Sequence, residues 1–303
     1  MTKRILFLYT VIYFSQSLCS AQQLPFFAQY TNYHGMINPA SIHYSFLTEN
    51  GHRISGGIAH RTSWENWGGL APTTQVARFE SIEKNIVWGA FLQNEKVGIS
   101  QSFGGCGRIA YIKPLDQDLS KGGLAIGLNM GVNNLKIATN DLLVSLPDPN
   151  IPLDPSVFSV DLGIGVFGYK QWRRVNDYIY GGLSIPQLWG NSKFRNEKHF
   201  YALLGFYMAL NNQSYLEISS WIRKVSNVPF QYSLNVRYQP LHWCWIGSGS
   251  FFNKGIALTP EFGFNVEIGK TIYKIGYAYT FLNNVVGRSH EINLSFSTKR
   301  KQK

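Results

Sequence analysis

The chain has 303 residues, of which 15% are charged and 15% aromatic, with 29 glycines. A soluble domain carries roughly a quarter of its residues as charges, so this balance argues against a water-facing globular surface and fits a sheet whose outer face does not meet water. The net charge of +11 is concentrated at the ends. Lys3, Arg4, Lys299, Arg300, Lys301 and Lys303 supply six of it, and about +5 remains on the body, a balance suited to an anionic membrane or an acidic partner. No basic helix or stripe appears, which speaks against nucleic acid.

Residues 1–21 read as a secretory signal. Lys3 and Arg4 precede an apolar run from Ile5 to Phe14, and Cys19-Ser20-Ala21 offers small residues for cleavage after Ala21. Gln16-Ser17-Leu18 fits a lipoprotein site before Cys19 poorly. The apolar run is too short to cross a bilayer as a helix, and no later stretch reaches that length. An exported chain of this kind is either soluble or spans as a closed barrel. Residues 22–51 are polar and aromatic with a break at Asn38-Pro39, and are expected to pack at the periplasmic mouth or to plug a lumen.

From there the dominant signal is alternation with period two, the pattern of a strand with one apolar face. Leu124, Ile126, Leu128 and Met130 alternate with Ala125, Gly127, Asn129 and Gly131. Phe158 to Val166 alternate with Ser159, Asp161, Gly163 and Gly165, and Tyr232, Leu234, Val236 and Tyr238 with Ser233, Asn235 and Arg237. The same holds across Phe262–Ile268, Tyr273–Tyr279 and Ile292–Phe296. The spacing predicts strands at 52–62, 73–82, 86–94, 104–113, 122–133, 157–169, 177–185, 199–210, 213–223, 229–238, 242–252, 260–269, 271–281 and 289–297. Their length is that of tilted membrane-crossing strands, near ten residues, rather than the five or six of a soluble sandwich. The expected fold is therefore all-β: a transmembrane antiparallel β-barrel of about 14 strands over residues 52–297, with 298–303 as a basic periplasmic tail. Short turns fall near 83–84, 211–212, 239–241 and 269–270, and longer connections at 63–72, 134–156, 186–198, 253–259 and 282–288. Bacterial barrels keep short turns in the periplasm and long loops outside, which puts both termini in the periplasm. Trp64, Trp67, Trp172, Trp189, Trp221, Trp243 and Trp245 lie near segment ends and are expected to form interfacial girdles.

Motifs for chemistry are absent. Gly163-Ile164-Gly165-Val166-Phe167-Gly168 matches the dinucleotide fingerprint by letter, but such glycines must turn from strand to helix, and these lie within an alternating strand. The seven histidines, His34, His43, His52, His60, His199, His242 and His290, show no metal-ligand spacing. Asp116 with Asp118 and Glu80 with Glu83 read as solvated turn charges. Cys106 and Cys244 each sit alone in a strand-like segment and read as buried thiols, with a disulfide as the alternative. Asn212-Gln213-Ser214 is a sequon by letter only. No catalytic, cofactor or metal residues are assigned, and the chain is read as not an enzyme.

Several short pieces, in order, carry a resemblance. They are Gln29-Tyr30, Asn38-Pro39-Ala40, Arg61-Thr62-Ser63-Trp64, Ala71-Pro72-Thr73-Thr74 and Asp154-Pro155-Ser156. Then follow Tyr180-Gly181-Gly182-Leu183-Ser184-Ile185-Pro186-Gln187-Leu188, Ile275-Gly276-Tyr277-Ala278-Tyr279 and Ser289-His290-Glu291-Ile292. Together they resemble the PorP/SprF family of the Bacteroidetes type IX secretion system, with a departure at Ser41-Ile42-His43. The resemblance implies an outer-membrane barrel similar to the fatty-acid transporter type, surrounded by outer-membrane lipid. It implies a role in secreting or surface-anchoring a large cargo protein, such as a gliding-motility adhesin, by recognising its C-terminal domain. Periplasmic and motor components of the same machine are the other implied partners. Loops on a rigid barrel are where partner binding is expected, chiefly 134–156 and 186–198. The alternative function is a passive channel or transporter for a small hydrophobic molecule.

Overall fold

The computed structural model describes residues 27–49, 51–116, 118–138, 156–174, 176–191, 198–211, 214–225, 228–252, 256–282 and 288–299. Fourteen strands among these residues close into one antiparallel barrel, each paired with its sequence neighbour and β1 with β14. In chain order they are β1 (His52–Thr62), β2 (Thr73–Glu83), β3 (Ile86–Val97), β4 (Ser100–Pro114), β5 (Gly122–Ile137), β6 (Ser156–Gln171) and β7 (Tyr178–Asn191). The rest are β8 (His199–Ala209), β9 (Tyr215–Val225), β10 (Gln231–Leu241), β11 (Cys244–Phe252), β12 (Ile256–Ile268), β13 (Thr271–Leu282) and β14 (Ser289–Lys299). No described helix is long and apolar enough to cross a membrane.

The pleat sorts the alternating residues as the sequence predicts. On β10, Gln231, Ser233, Asn235 and Arg237 are buried inside while Tyr232, Leu234, Val236 and Tyr238 face out. Leu124, Ile126, Leu128 and Met130 on β5 are more than half exposed, an apolar wall that only a bilayer can cover. Closure of β1 on β14 leaves no edge strand to template aggregation.

Several strands run further than the hydrophobic pattern suggests. β4 begins at Ser100 and β3 reaches Val97, so the expected 95–103 connection is a tight turn at Gly98 (φ 59) and Ile99. β5 extends to Ile137, β7 to Asn191 and β12 starts at Ile256. The loops expected at 134–156, 186–198 and 253–259 therefore shorten to 138–155, 192–198 and 253–255. Two prolines hid the extensions of β7 and β12, because proline lacks the donor a central ladder needs. Pro186 sits where the β6–β7 register shifts between Leu162 and Ile164. Pro260 pairs with Ser248 on β11, at a gap in the β12–β13 ladder. The tail also shortens, since Thr298 and Lys299 pair with β1; residues 300–303, the signal 1–21, the Trp67 side chain and Asn212 lie outside the described residues.

Three further expectations are corrected. Trp221 and Trp245 point into the lumen and are buried, whereas Trp172, Trp189 and Trp243 are exposed on the wall. Glu80 is buried at 2% exposure and ion-paired, not solvated. Cys106 and Cys244 are free and only partly buried, on β4 and β11.

Candidate functional site

The lumen is the part of the molecule where polar and charged side chains converge. Residues 27–49 run inside the barrel as a 3-10 turn (Tyr30–Tyr33), a helical turn α1 (His34–Ile37) and a second, α2 (Tyr44–Thr48). None is long enough to be stable alone; contacts to the wall hold them. The Glu291 carboxylate of β14 accepts from the backbone N–H groups of Ala28 (2.7 Å) and Gln29 (3.0 Å) and from Arg61 of β1 (3.1 Å). Tyr30 hydrogen-bonds Ser219 (2.8 Å) and meets the Trp221 ring edge-on. Asn293 donates to the Tyr33 hydroxyl.

Asn38-Pro39-Ala40 lies on a floor of glycines. The Asn38 side-chain oxygen accepts from the Ala40 N–H (2.9 Å), and its amide donates to the Val166 carbonyl (2.9 Å). Gly127, Gly165 and Gly182 face these three residues, and a Cβ on any of them would collide with the segment. Gly127 of β5 thus seats the segment's backbone and Gly165 of β6 the side chains of Asn38 and Pro39, while Gly163 gives room to the Pro186 carbonyl.

Two ion networks brace the seat. Arg108 donates to the carbonyls of Pro39 (2.9 Å) and Ser41 (2.8 Å) and pairs with Glu80, which also meets Arg78 at 3.5 Å. Arg237 lies between Glu261 (3.4 Å) and Glu217 (4.0 Å), over the Trp245 ring, and Tyr180 donates to Glu217 (2.9 Å). Buried charges need such partners, because removing one strands the other. The sequence pattern placed Arg237 on an inward position but gave no signal for its partners across the lumen.

At the end carrying the termini, Lys274 binds the Tyr44 hydroxyl (2.8 Å) and Glu49, and His52 lies 3.0 Å from Glu49. Glu49 follows α2, outside the spanning strands. Burial pushes its carboxyl up, but the Lys274 ammonium and hydrogen bonds from His52, Lys274 and Ser297 hold it down at about 2. The 115–121 connection folds over this mouth, where Tyr169 donates to the Leu119 carbonyl (2.6 Å) and Tyr178 to that of Ser120 (2.9 Å). A polar cavity of about 180 Å³ remains beside Tyr207, Tyr215, Asn265 and Lys274. At the opposite end, above the segment, a vestibule includes a cavity of about 50 Å³ lined by Met36, Cys106, Asn129, Asp161 and Gln187.

The histidines are scattered. His34, His43, His52 and His199 are buried in the barrel, and His290 meets Tyr277 (2.6 Å) and Glu65 (3.0 Å) at the loop end. Among the described residues no group of three His, Cys, Asp or Glu could hold a metal. Of the loops expected to bind a partner, 139–155 and 192–197 lie outside the described residues.

Comparison with known proteins decides the family. The family model for the type IX secretion system membrane protein PorP/SprF matches residues 19–296. The chain belongs to the PorP/SprF family. As such it is an outer-membrane β-barrel of the type IX secretion system. No curated protein of similar sequence was found. Among solved structures, the toluene transporter TodX from Pseudomonas putida is similar at TM-score 0.50 and 10% identity, over 88% of this chain and 93% of TodX. A deltaS2S3 mutant of TodX, a monoaromatic hydrocarbon channel, gives 0.52 at 10%, over 88% and 94%. CdiB from Acinetobacter baumannii gives 0.46 at 6%, over 81% of this chain, which spans 60% of CdiB's length. These likenesses concern the fold.

Proposed function

We propose that this PorP/SprF barrel holds, rather than conducts: it retains or delivers a large exported cargo protein at the outer membrane by binding the cargo's C-terminal domain. The observation that carries this reading is the filled lumen. Residues 27–49 occupy it, Glu291 grips their backbone, and Arg108 clamps the Asn38–Ser41 bend. A barrel closed by its own chain acts through its rims, and this segment serves as a plug. Short turns at 84–85, 242–243 and 269–270 share an end with both termini, and the two longest connections, 63–72 and 138–155, share the other beside a tight turn at 98–99; the long connections support placing the terminal end in the periplasm and 138–155 and 192–198 outside. In this reading residues 1–21 are a removed signal, the outer rim meets cargo of the gliding-adhesin kind, the periplasmic rim meets other secretion components, and no catalysis is involved.

The second reading, a channel for a small hydrophobic molecule, draws on the likeness to TodX and on apolar grooves of about 440 and 430 Å³. Those grooves lie on the outer wall, at Ile58, Leu92, Phe103 and Leu294 and at Leu183, Phe200, Ile222 and Phe230. Such positions meet lipid in any spanning barrel. Deleting the gene and comparing surface-exposed proteins tests the proposal. Loss of one large exported protein from the surface, restored by complementation, is expected; an unchanged surface proteome contradicts it.

A further inference from the structure

The lumenal carboxylates that brace the segment all have cations. Glu49 has Lys274, Glu80 has Arg78 and Arg108, Glu217 and Glu261 share Arg237, and Glu291 has Arg61. Asp161 on β6 departs from that rule. It is 8% exposed, faces the loop-end vestibule, and has no ion-pair partner among the described residues. Its one side-chain hydrogen bond comes from Gln187. A buried carboxylate without a counter-charge is costly and is retained where something supplies one.

The surroundings of Asp161 are acceptors. Asn129 and Gln187 line the same cavity, and the side-chain oxygen of each is buried without a hydrogen-bond partner. Their orientation is fixed, because the Asn129 amide donates to the Pro186 carbonyl (3.2 Å) and Gln187 bonds Asp161. Gly131 stands opposite Asp161 in the β5–β6 ladder, and a Cβ there would lie 2.8 Å from the Asp161 carboxylate. The glycine therefore keeps the space beside the carboxylate open. The cavity, of about 50 Å³, has room for an ammonium or the tip of a guanidinium, given that a water's share of liquid is roughly 30 Å³. One negative charge with two neutral amide oxygens matches a single monovalent donor group. A divalent ion draws on more carboxylates.

We propose that the vestibule is a socket for one lysine or arginine side chain of the exported partner. The proposal rests on the holding role argued above and deepens it, by giving the chemistry of one contact. When the partner docks, its cation neutralises Asp161 and satisfies Asn129 and Gln187. When it leaves, the carboxylate is again without a counter-charge.

Cys106 lines the same cavity and reports on it. In purified protein carrying Cys19→Ser and Cys244→Ser, Cys106 is treated with cationic 2-aminoethyl methanethiosulfonate or anionic 2-sulfonatoethyl methanethiosulfonate. The cationic reagent is expected to react at least about 10-fold faster relative to its rate on a free thiol, and Asp161→Asn to bring the two within about twofold. Equal relative rates in the parent overturn the socket. Melting of the purified barrel gives a second arm. Asp161→Asn is expected to leave the midpoint unchanged or raise it, whereas Glu80→Gln lowers it. If Asp161→Asn lowers it as Glu80→Gln does, the chain supplies its own cation and the proposal falls. In cells, Asp161→Asn at normal barrel levels is expected to cut retention of the exported partner about 10-fold. Wild-type retention in that strain, alongside loss in the deletion strain, overturns the socket and leaves the holding role standing. No loss in the deletion strain overturns the holding role, and with it the socket.

Discussion

Gly127 of β5 and Pro39 of the lumenal segment meet backbone to backbone: a Cβ on Gly127 would lie 2.5 Å from both the carbonyl carbon and the carbonyl oxygen of Pro39. A backbone contact cannot be relieved by a change of rotamer. Gly127→Val is therefore expected to unseat the segment while leaving the strands intact, at a cost of about 1–3 kcal/mol or more. Limited proteolysis of the purified barrel measures it, as new cleavage within 27–49 beside an unchanged β-sheet circular dichroism spectrum. Gly107→Val is the control, since nothing lies within 4 Å of a Cβ there.

Breaking a lumenal ion pair from one side should cost more than removing both partners. Glu80→Ala leaves Arg78 and Arg108 facing each other without a carboxylate, a loss of about 3–5 kcal/mol. Glu80→Gln with Arg108→Met removes charge from both sides and is expected to recover at least half of the lost melting temperature. Gel shift of the folded barrel on heating reads both.

Acid should loosen the segment from the terminal end first. The Glu49 carboxyl is held at about 2, below its ordinary 4.5. A lowered carboxyl contributes stability that is complete above the unfolded value and disappears as pH falls through the folded one. The difference in melting midpoint between wild type and Glu49→Gln is thus expected to be constant from pH 8 to about 5, and to shrink between about 4.5 and 2. A difference that grows on acidification would contradict this assignment.

The outer wall predicts a dependence on depth. Leu128 is 55% exposed at the middle of β5. Leu128→Arg is expected to destabilise folding into lipid vesicles by about 2–4 kcal/mol. Lys136→Gln, exposed near the loop end of the same strand, should change it by less than about 0.5 kcal/mol.

The strands were legible in the sequence because a wall between lipid and a polar interior forces period-two alternation, as Tyr232 to Tyr238 show. Connection lengths gave an expected orientation but not the tight turn at Gly98-Ile99, which lies at the end opposite the termini. Strand ends at Pro186 and Pro260 were hidden because a bulge and a ladder gap absorb the missing donors. The seat of the segment was illegible for a different reason. Gly127, Gly165 and Gly182 read only as small inward residues, and nothing local to them reports that Asn38-Pro39-Ala40 arrives from far along the chain. The ion networks share this cause: Arg237 finds Glu217 and Glu261 across neighbouring strands, and Glu80 finds Arg108. Trp221 and Trp245 were misplaced because position near a strand end was weighed above the pleat, which puts both inside.

Single-channel conductance in planar bilayers tests the central claim most directly, comparing the intact mature barrel with a form lacking residues 27–49. The account predicts a silent intact barrel and steady conductance once the segment is removed. Steady conductance through the intact barrel, matching that of the truncated form, would contradict it.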